Sequence, residues 1–200
     1  MIKNIILDFG DIFINLDKEA TAKAMQSFGF KQITPELDSL FKAYEKGTVS
    51  SEKFLFTISK HFPTATQNDL IHAWNAILLD FPLARLEFVE QLAQKNKYRI
   101  FLLSNTNDIH IESVKQKMGM ENYNRFKNAF EVFYLSYEMG MRKPDTEIFE
   151  FVLQQNHLKP SETLFVDDTK ENTNAAASLG ILTWHLQVGK EDIMQLNSHL

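Results

Sequence analysis

Five nearly uninterrupted apolar runs of strand length are spaced along a chain of 200 residues: Ile2–Leu7, Tyr98–Leu103, Val132–Leu135, Thr163–Val166 and Ile181–Leu186. A strand with one wet face alternates apolar and polar residues, whereas a strand covered on both faces does not. Helical periodicity fills the gaps between the runs. Leu83, Leu86, Val89 and Leu92 form a stripe before the second run, and Ile148, Phe149, Val152 and Leu153 form another before the fourth. Strands alternating with helices predict an α/β fold, with a doubly wound parallel sheet flanked by helices.

One gap breaks the rhythm. Between Leu16 and Phe81 no segment reads as a strand, yet several read as helices. Thr34-Pro35-Glu36 is an N-cap followed by proline at the first helical position. Gly47 punctuates before a segment opening at Ser50-Ser51-Glu52. Thr66-Gln67-Asn68-Asp69 has the form of a capping box ahead of Ile71, Trp74, Ile77 and Leu78. A helical stretch of about 65 residues is too long for a simple crossover. It predicts an inserted all-helical cap subdomain over residues 16–81, with residues 1–15 and 82–200 forming the core and Phe81-Pro82 returning the chain to it.

Composition narrows the chemistry. There is no cysteine, so disulfides, zinc–thiolate sites and thiol nucleophiles are excluded. A net charge of −5 argues against nucleic acid or an anionic membrane as the main partner. No apolar run approaches the roughly 20 residues of a membrane span, and the amino terminus reads as a strand where a signal peptide would have a basic start. The expectation is a globular cytoplasmic protein. Nothing in the sequence specifies an oligomeric state.

Ligands of open α/β sheets bind outside the carboxyl ends of the strands, and four polar clusters fall there. Asp8-Phe9-Gly10-Asp11 follows the first run, and Ser104-Asn105-Thr106-Asn107 follows the second. Arg142-Lys143-Pro144-Asp145 precedes the helix after the third, and Asp167-Asp168 follows the fourth. Together they supply a carboxylate nucleophile, a hydroxyl and amide pair, a cation and a pair of carboxylates. That set suits phosphoryl transfer: a carboxylate attacks phosphorus, Mg²⁺ bridges it to a phosphate oxygen, and lysine and hydroxyl donors hold the other oxygens.

In this order the clusters resemble the haloacid dehalogenase superfamily of hydrolases, whose members are mostly phosphatases. Within it the chain is most similar to bacterial phosphatases of sugar phosphates such as glucose 1-phosphate. The resemblance covers essentially the whole chain and implies a Rossmann-like core with a helical cap. It makes Asp8 the nucleophile that becomes an aspartyl phosphate. Ser104 and Asn105 would hold the phosphoryl group, and Lys143 would neutralise it and Asp8. Asp8, the Gly10 carbonyl and Asp168 would bind Mg²⁺, with Asp167 and Asn172 ordering its waters. The implied substrate is a small phosphorylated metabolite. A 2-haloacid dehalogenase of the same superfamily, or a non-catalytic binder of phosphorylated ligands, is the alternative.

The chain departs from the superfamily pattern at one position. Most of its phosphatases carry an aspartate two residues after the nucleophile as general acid and base; here that residue is Gly10, and Asp11 is the nearest catalytic candidate. The six histidines show no ligand spacing and are read as outside the chemistry, and Trp74 and Trp184 as packing residues.

Overall fold

The computed structural model describes residues 1–200. In chain order, β1 (Asn4–Leu7) is followed by four helices, α1 (Ala20–Met25), α2 (Pro35–Glu45), α3 (Ser51–His61) and α4 (Gln67–Asn75). Next come α5 (Leu83–Gln94), β2 (Arg99–Ser104), α6 (Asp108–Met118), α7 (Met120–Asn128) and β3 (Val132–Leu135). The chain ends with α8 (Ser136–Met139), α9 (Thr146–Gln155), β4 (Thr163–Asp167), α10 (Lys170–Ser178) and β5 (Leu182–His185). The five strands form one sheet in the order β3-β2-β1-β4-β5, and every pairing is parallel. No helix is long and apolar enough to cross a membrane.

Alternate residues of the central strands feed two cores. Ile5, Leu7, Ile100, Leu102, Leu164 and Val166 pack on one face with α5, α6 and α7. Ile6, Phe101, Leu103 and Phe165 pack on the other with α9 and α10. Covering both faces explains why these strands are apolar without alternation. The edge strands depart from this. Val132 to Tyr134 are only half-buried, and Leu182 is 44% exposed. Each edge has a single neighbouring strand, so the helices cover it incompletely.

Helices α1 to α4 have a core of their own, built on Met25, Leu37, Tyr44, Phe54, Leu55, Ile58, Phe62, Leu70 and Ala73. Three of their starts are capped as the sequence predicts. Thr34 Oγ1 accepts from the Leu37 amide at 3.3 Å, Ser50 Oγ from the Lys53 amide at 3.3 Å, and Thr66 forms a full capping box with Asp69. Helix α1 escapes the sequence reading because it spans 6 residues and starts at Glu19 without a side-chain cap. Two antiparallel linkers join this insert to the sheet: the Asn15 amide donates to the Asp80 carbonyl, and the Asp17 amide to the Ile77 carbonyl, each at 2.9 Å.

The α2–α3 turn docks the insert on the core. Glu45 pairs with Arg142 at 2.9 Å and Lys46 with Asp145 at 2.7 Å. Gly47 has φ +67°, and a Cβ there would overlap the carbonyl oxygen of Tyr137. Glycine is therefore required twice, for the left-handed backbone and for the close approach. Gly47→Ala is expected to lower stability by about 1–3 kcal/mol, measured by urea unfolding; a stability equal to wild type would show that the turn does not seat this closely.

Candidate active site

The chain turns sharply after β1. The Asp8 amide still donates to the Val166 carbonyl at 2.9 Å, holding Asp8 in line with the strand. Phe9 then accepts from the amides of Phe13 and Ile14, and Asp11 adopts φ +54° in the left-handed region. Aspartate tolerates that conformation better than most residues. At the ends of β2 and β4, on either side, stand Ser104 and Asp167.

Lys143 joins these strand ends. It reaches in from the loop before α9, is 1% exposed, and its Nζ donates to Asp8 Oδ1 at 2.6 Å, Asp167 Oδ2 at 2.7 Å and the Leu103 carbonyl at 2.8 Å. Asn105 fixes the lysine's backbone from both sides, donating to its carbonyl at 2.8 Å and accepting from its amide at 2.9 Å. Both oxygens of Asp167 are engaged: Asn172 Nδ2 lies 3.0 Å from each, and Oδ1 also accepts from the Thr169 amide at 2.8 Å.

Asp168 and Asp11 share a second cation, Lys18, at 2.5 and 3.1 Å. Nothing in the sequence marks Lys18; it is one polar residue at the start of the insert, and only the fold brings it here. The other Asp11 oxygen accepts from the Leu16 amide at 3.0 Å, so this carboxylate is committed to the linker and Lys18. Ser104 Oγ has only a long 3.5 Å contact to the Asn105 carbonyl, leaving its hydroxyl available at the strand end.

Charge does not balance in this cluster. Four buried or nearly buried carboxylates, Asp8, Asp11, Asp167 and Asp168, meet two lysines. Burial, opposed by Lys143 and helped by Asp167, pushes the Asp8 carboxyl up to about 7. Burial also raises Asp168, against the pull of Lys18. Burial alone would push the Lys143 ammonium down, but Asp167 and Asp8 outweigh it and hold it above its ordinary value. Carboxylate oxygens of Asp8, Asp167 and Asp168 lie within 4.8 Å of one another. An all-oxygen set two charges short of neutrality fits a hard divalent cation.

A cavity of about 200 Å³ opens beside the cluster, lined by Gly10, Leu16, Glu45, Ser104, Asn105 and His110 among others. A wider cleft of about 700 Å³ lies at the opposite, amino end of the strands, around Lys3, Arg99, Glu131 and Glu162. Both of its carboxylates are already paired, Glu162 with Lys3 and Glu131 with Arg99. The chemistry gathers at the smaller cavity.

A model of the haloacid dehalogenase-like hydrolases matches residues 4–180. The chain belongs to this family. The haloacid dehalogenase-like hydrolase described here is 29% identical over 197 residues to the D-ribitol-5-phosphate phosphatase of Bacteroides thetaiotaomicron, covering 96% of this chain and 95% of the relative. A crystal structure of a HAD family enzyme from Bacteroides thetaiotaomicron, in complex with magnesium and inorganic phosphate, superposes with a TM-score of 0.80 at 36% identity, covering 96% and 97% of the two chains. A HAD-like family hydrolase from Porphyromonas gingivalis superposes with a TM-score of 0.86 at 29% identity, covering 100% and 97%.

Proposed function

We propose that this hydrolase is a magnesium-dependent phosphatase that cleaves a small phosphorylated metabolite, of the sugar or sugar-alcohol phosphate class, through an aspartyl phosphate on Asp8. The observation that carries the reading is the buried Lys143 bridging Asp8 and Asp167 inside a carboxylate cluster two charges in excess. The relatives' phosphatase activity and magnesium complex agree with it.

Asp8 is the nucleophile, at the carboxyl end of the central strand. Lys143 balances its charge and that of the arriving phosphoryl group, while Ser104 offers its hydroxyl and Asn105, whose side chain is taken up by the Lys143 backbone, its main-chain amide to the phosphoryl oxygens. Asp8, the Gly10 carbonyl and Asp168 would hold Mg²⁺, with Asp167 and Asn172 ordering its waters. When bound, the ion supplies the positive charge that a transferring phosphoryl group demands. Residues 16–81 serve as the cap, closing over the leaving group and excluding bulk water. The cavity of about 200 Å³ is below the usual ~300–1,000 Å³ of ligand pockets, which favours a small leaving group.

Halide displacement at carbon, the dehalogenase alternative, needs no metal and gives the carboxylate excess no role. Phosphate release from a panel of sugar and polyol phosphates, with and without Mg²⁺ and alongside halide release from 2-haloacids, tests the choice. Metal-independent halide release with no phosphate release would reverse it.

Metal binding has its own test. A ligand that binds only the native state stabilises it, by about 2.7 kcal/mol at 100 times Kd, or roughly 5–10 °C for a chain of this size. Asp168→Ala is expected to lose most of this Mg²⁺-induced rise and Asp167→Ala less, because the Asp167 oxygens are already engaged by Lys143, Asn172 and Thr169. A wild-type melting temperature indifferent to millimolar Mg²⁺ would remove the site as drawn.

A further inference from the structure

Lys18 is the one side chain of residues 16–81 that makes a hydrogen bond or ion pair with the carboxylate cluster. It stands two residues ahead of α1, just past the linker in which the Asp17 amide donates to the Ile77 carbonyl at 2.9 Å. The other polar ties of the insert to the core lie elsewhere. Glu45 holds Arg142, Lys46 holds Asp145, Tyr44 and Ser51 hold Asp108, and Trp74 Nε1 donates to Asn107 Oδ1 at 3.3 Å.

The two carboxylates that share Lys18 are not equivalent. Asp11 is fixed within its own turn: its Oδ1 accepts from the Leu16 amide at 3.0 Å, and its backbone amide donates to the Ile14 carbonyl at 2.8 Å. Its Oδ2 lies 3.1 Å from Lys18 Nζ. Asp168 Oδ2 is closer, at 2.5 Å, and Lys18 is the sole hydrogen-bond donor to the Asp168 carboxylate. The lysine side chain is 56% exposed, whereas the carboxylates beneath it are 5% and 6% exposed. The ammonium therefore sits on the solvent side of the pair and can trade one partner for water without emptying a packed space.

Asp168 thus has two claims on it, because its carboxylate also belongs to the set within 4.8 Å of Asp8 and Asp167, a set that leaves Asp11 out. An ammonium on a carboxylate repels a divalent ion bound to that same group. Taking Asp168 as a metal ligand under the phosphatase reading, we propose that Lys18 contends with Mg²⁺ for Asp168, and that metal loading shifts the ammonium onto Asp11. Asp11 is then a resting place for the displaced charge and not an acid or base. With Lys18 parked there the cluster keeps both lysines, so a divalent ion still brings it to neutrality. The coupling is reciprocal: metal loading and the seating of the insert on Asp168 oppose each other, while the α2–α3 side of the insert stays fastened to Arg142 and Asp145.

Calorimetric titration of Mg²⁺ into the wild type and into Lys18→Met, Lys18→Gln and Lys18→Arg tests this. At ion-pair range the repulsion between one ammonium and a divalent ion is worth roughly tenfold in affinity even at the dielectric of water. The Met and Gln variants are expected to bind Mg²⁺ about tenfold tighter, and the Arg variant no tighter than wild type. Glutamine still donates to Asp168, so it separates charge from hydrogen bonding and carries the test should Lys18→Met not fold. The melting temperature of Lys18→Met should fall below wild type in EDTA, and the gap should shrink in saturating Mg²⁺, since the tighter binder gains more. Asp11→Asn should weaken Mg²⁺ binding more in the wild type than alongside Lys18→Met. Unchanged or weaker affinity in the Met and Gln variants overturns the inference. Tightening by Lys18→Arg as well, or an equal effect of Asp11→Asn in both backgrounds, also overturns it. Absence of Mg²⁺ binding in every one of these proteins would instead overturn the metal site of the phosphatase reading.

Discussion

Asp8→Asn is expected to fold normally and to lose turnover by on the order of 10⁴-fold or more, as removal of a covalent nucleophile does elsewhere. An amide has the shape of the carboxyl but cannot form the acyl phosphate. The fold should tolerate the change because Lys143 keeps Asp167 at 2.7 Å and the Leu103 carbonyl at 2.8 Å as partners. Replacing one of two clustered carboxylates also removes a repulsion, for Asp167 is among the groups that raise Asp8. The check is single-turnover phosphate release beside a thermal melt. Turnover near the wild-type rate in a properly folded Asp8→Asn protein would take the nucleophile away from β1.

Lys143→Met should produce the largest loss of stability of any substitution at the site. The lysine is 1% exposed and is the only cation touching Asp8 and Asp167. Removing one partner of a buried ion pair costs about 3–5 kcal/mol, because the remaining charge is left uncompensated. Activity should vanish with it.

The pH dependence of this variant, measured without divalent metal, has a definite sign. Burial already pushes Asp8 up to about 7, and Lys143 is the group that opposes the rise. Its loss moves the folded value higher still, while the unfolded value stays near ~4. Between the two, the folded state holds a proton that the unfolded state has released, so stability falls as pH rises through that window. The Lys143→Met protein is therefore expected to melt at a higher temperature at pH 5 than at pH 8. The opposite slope would show that the Asp8 carboxyl is not buried in the way described.

The sheet was legible in the sequence because each central strand carries its own local signature: an unbroken apolar run ending in a polar cluster. Asp8, Ser104 and Asp167 stand where such runs stop, and Lys143 belongs to a cluster between two of them. That Lys143 touches Asp8, 135 residues away, followed from both lying at the same end of a parallel sheet. Lys18 and the cavity position of Glu45 could not be read this way. Both are ordinary charged residues of a helical insert, where charge is the default on a solvated face. Their functional surroundings exist only after the insert docks, through the linkers and the α2–α3 turn, and docking leaves no periodicity in the chain. Gly47 marked a break between helices, but nothing local shows the Tyr137 carbonyl that makes glycine necessary there. The edge strands were misread as fully covered for a similar reason, since an apolar run does not reveal how many neighbours its strand will have.

The central place of β1 also fixes when the enzyme can come into being. Asn4 pairs with Arg99 on one side and with Thr163 on the other, so β1 precedes both of its neighbours in the chain and gains the second only when β4 is made. At ~5–20 residues per second, it waits on the order of ten seconds for its second neighbour. Over that interval the insert can assemble from contacts among residues 25–74, while Ile5, Ile6 and Leu7 still lack the strands and helices that bury them. Such exposed, unpaired apolar strand is what nascent-chain chaperones bind. A nascent chain that stops short of Asp167 lacks both the second neighbour of β1 and the carboxylate that Lys143 holds beside Asp8.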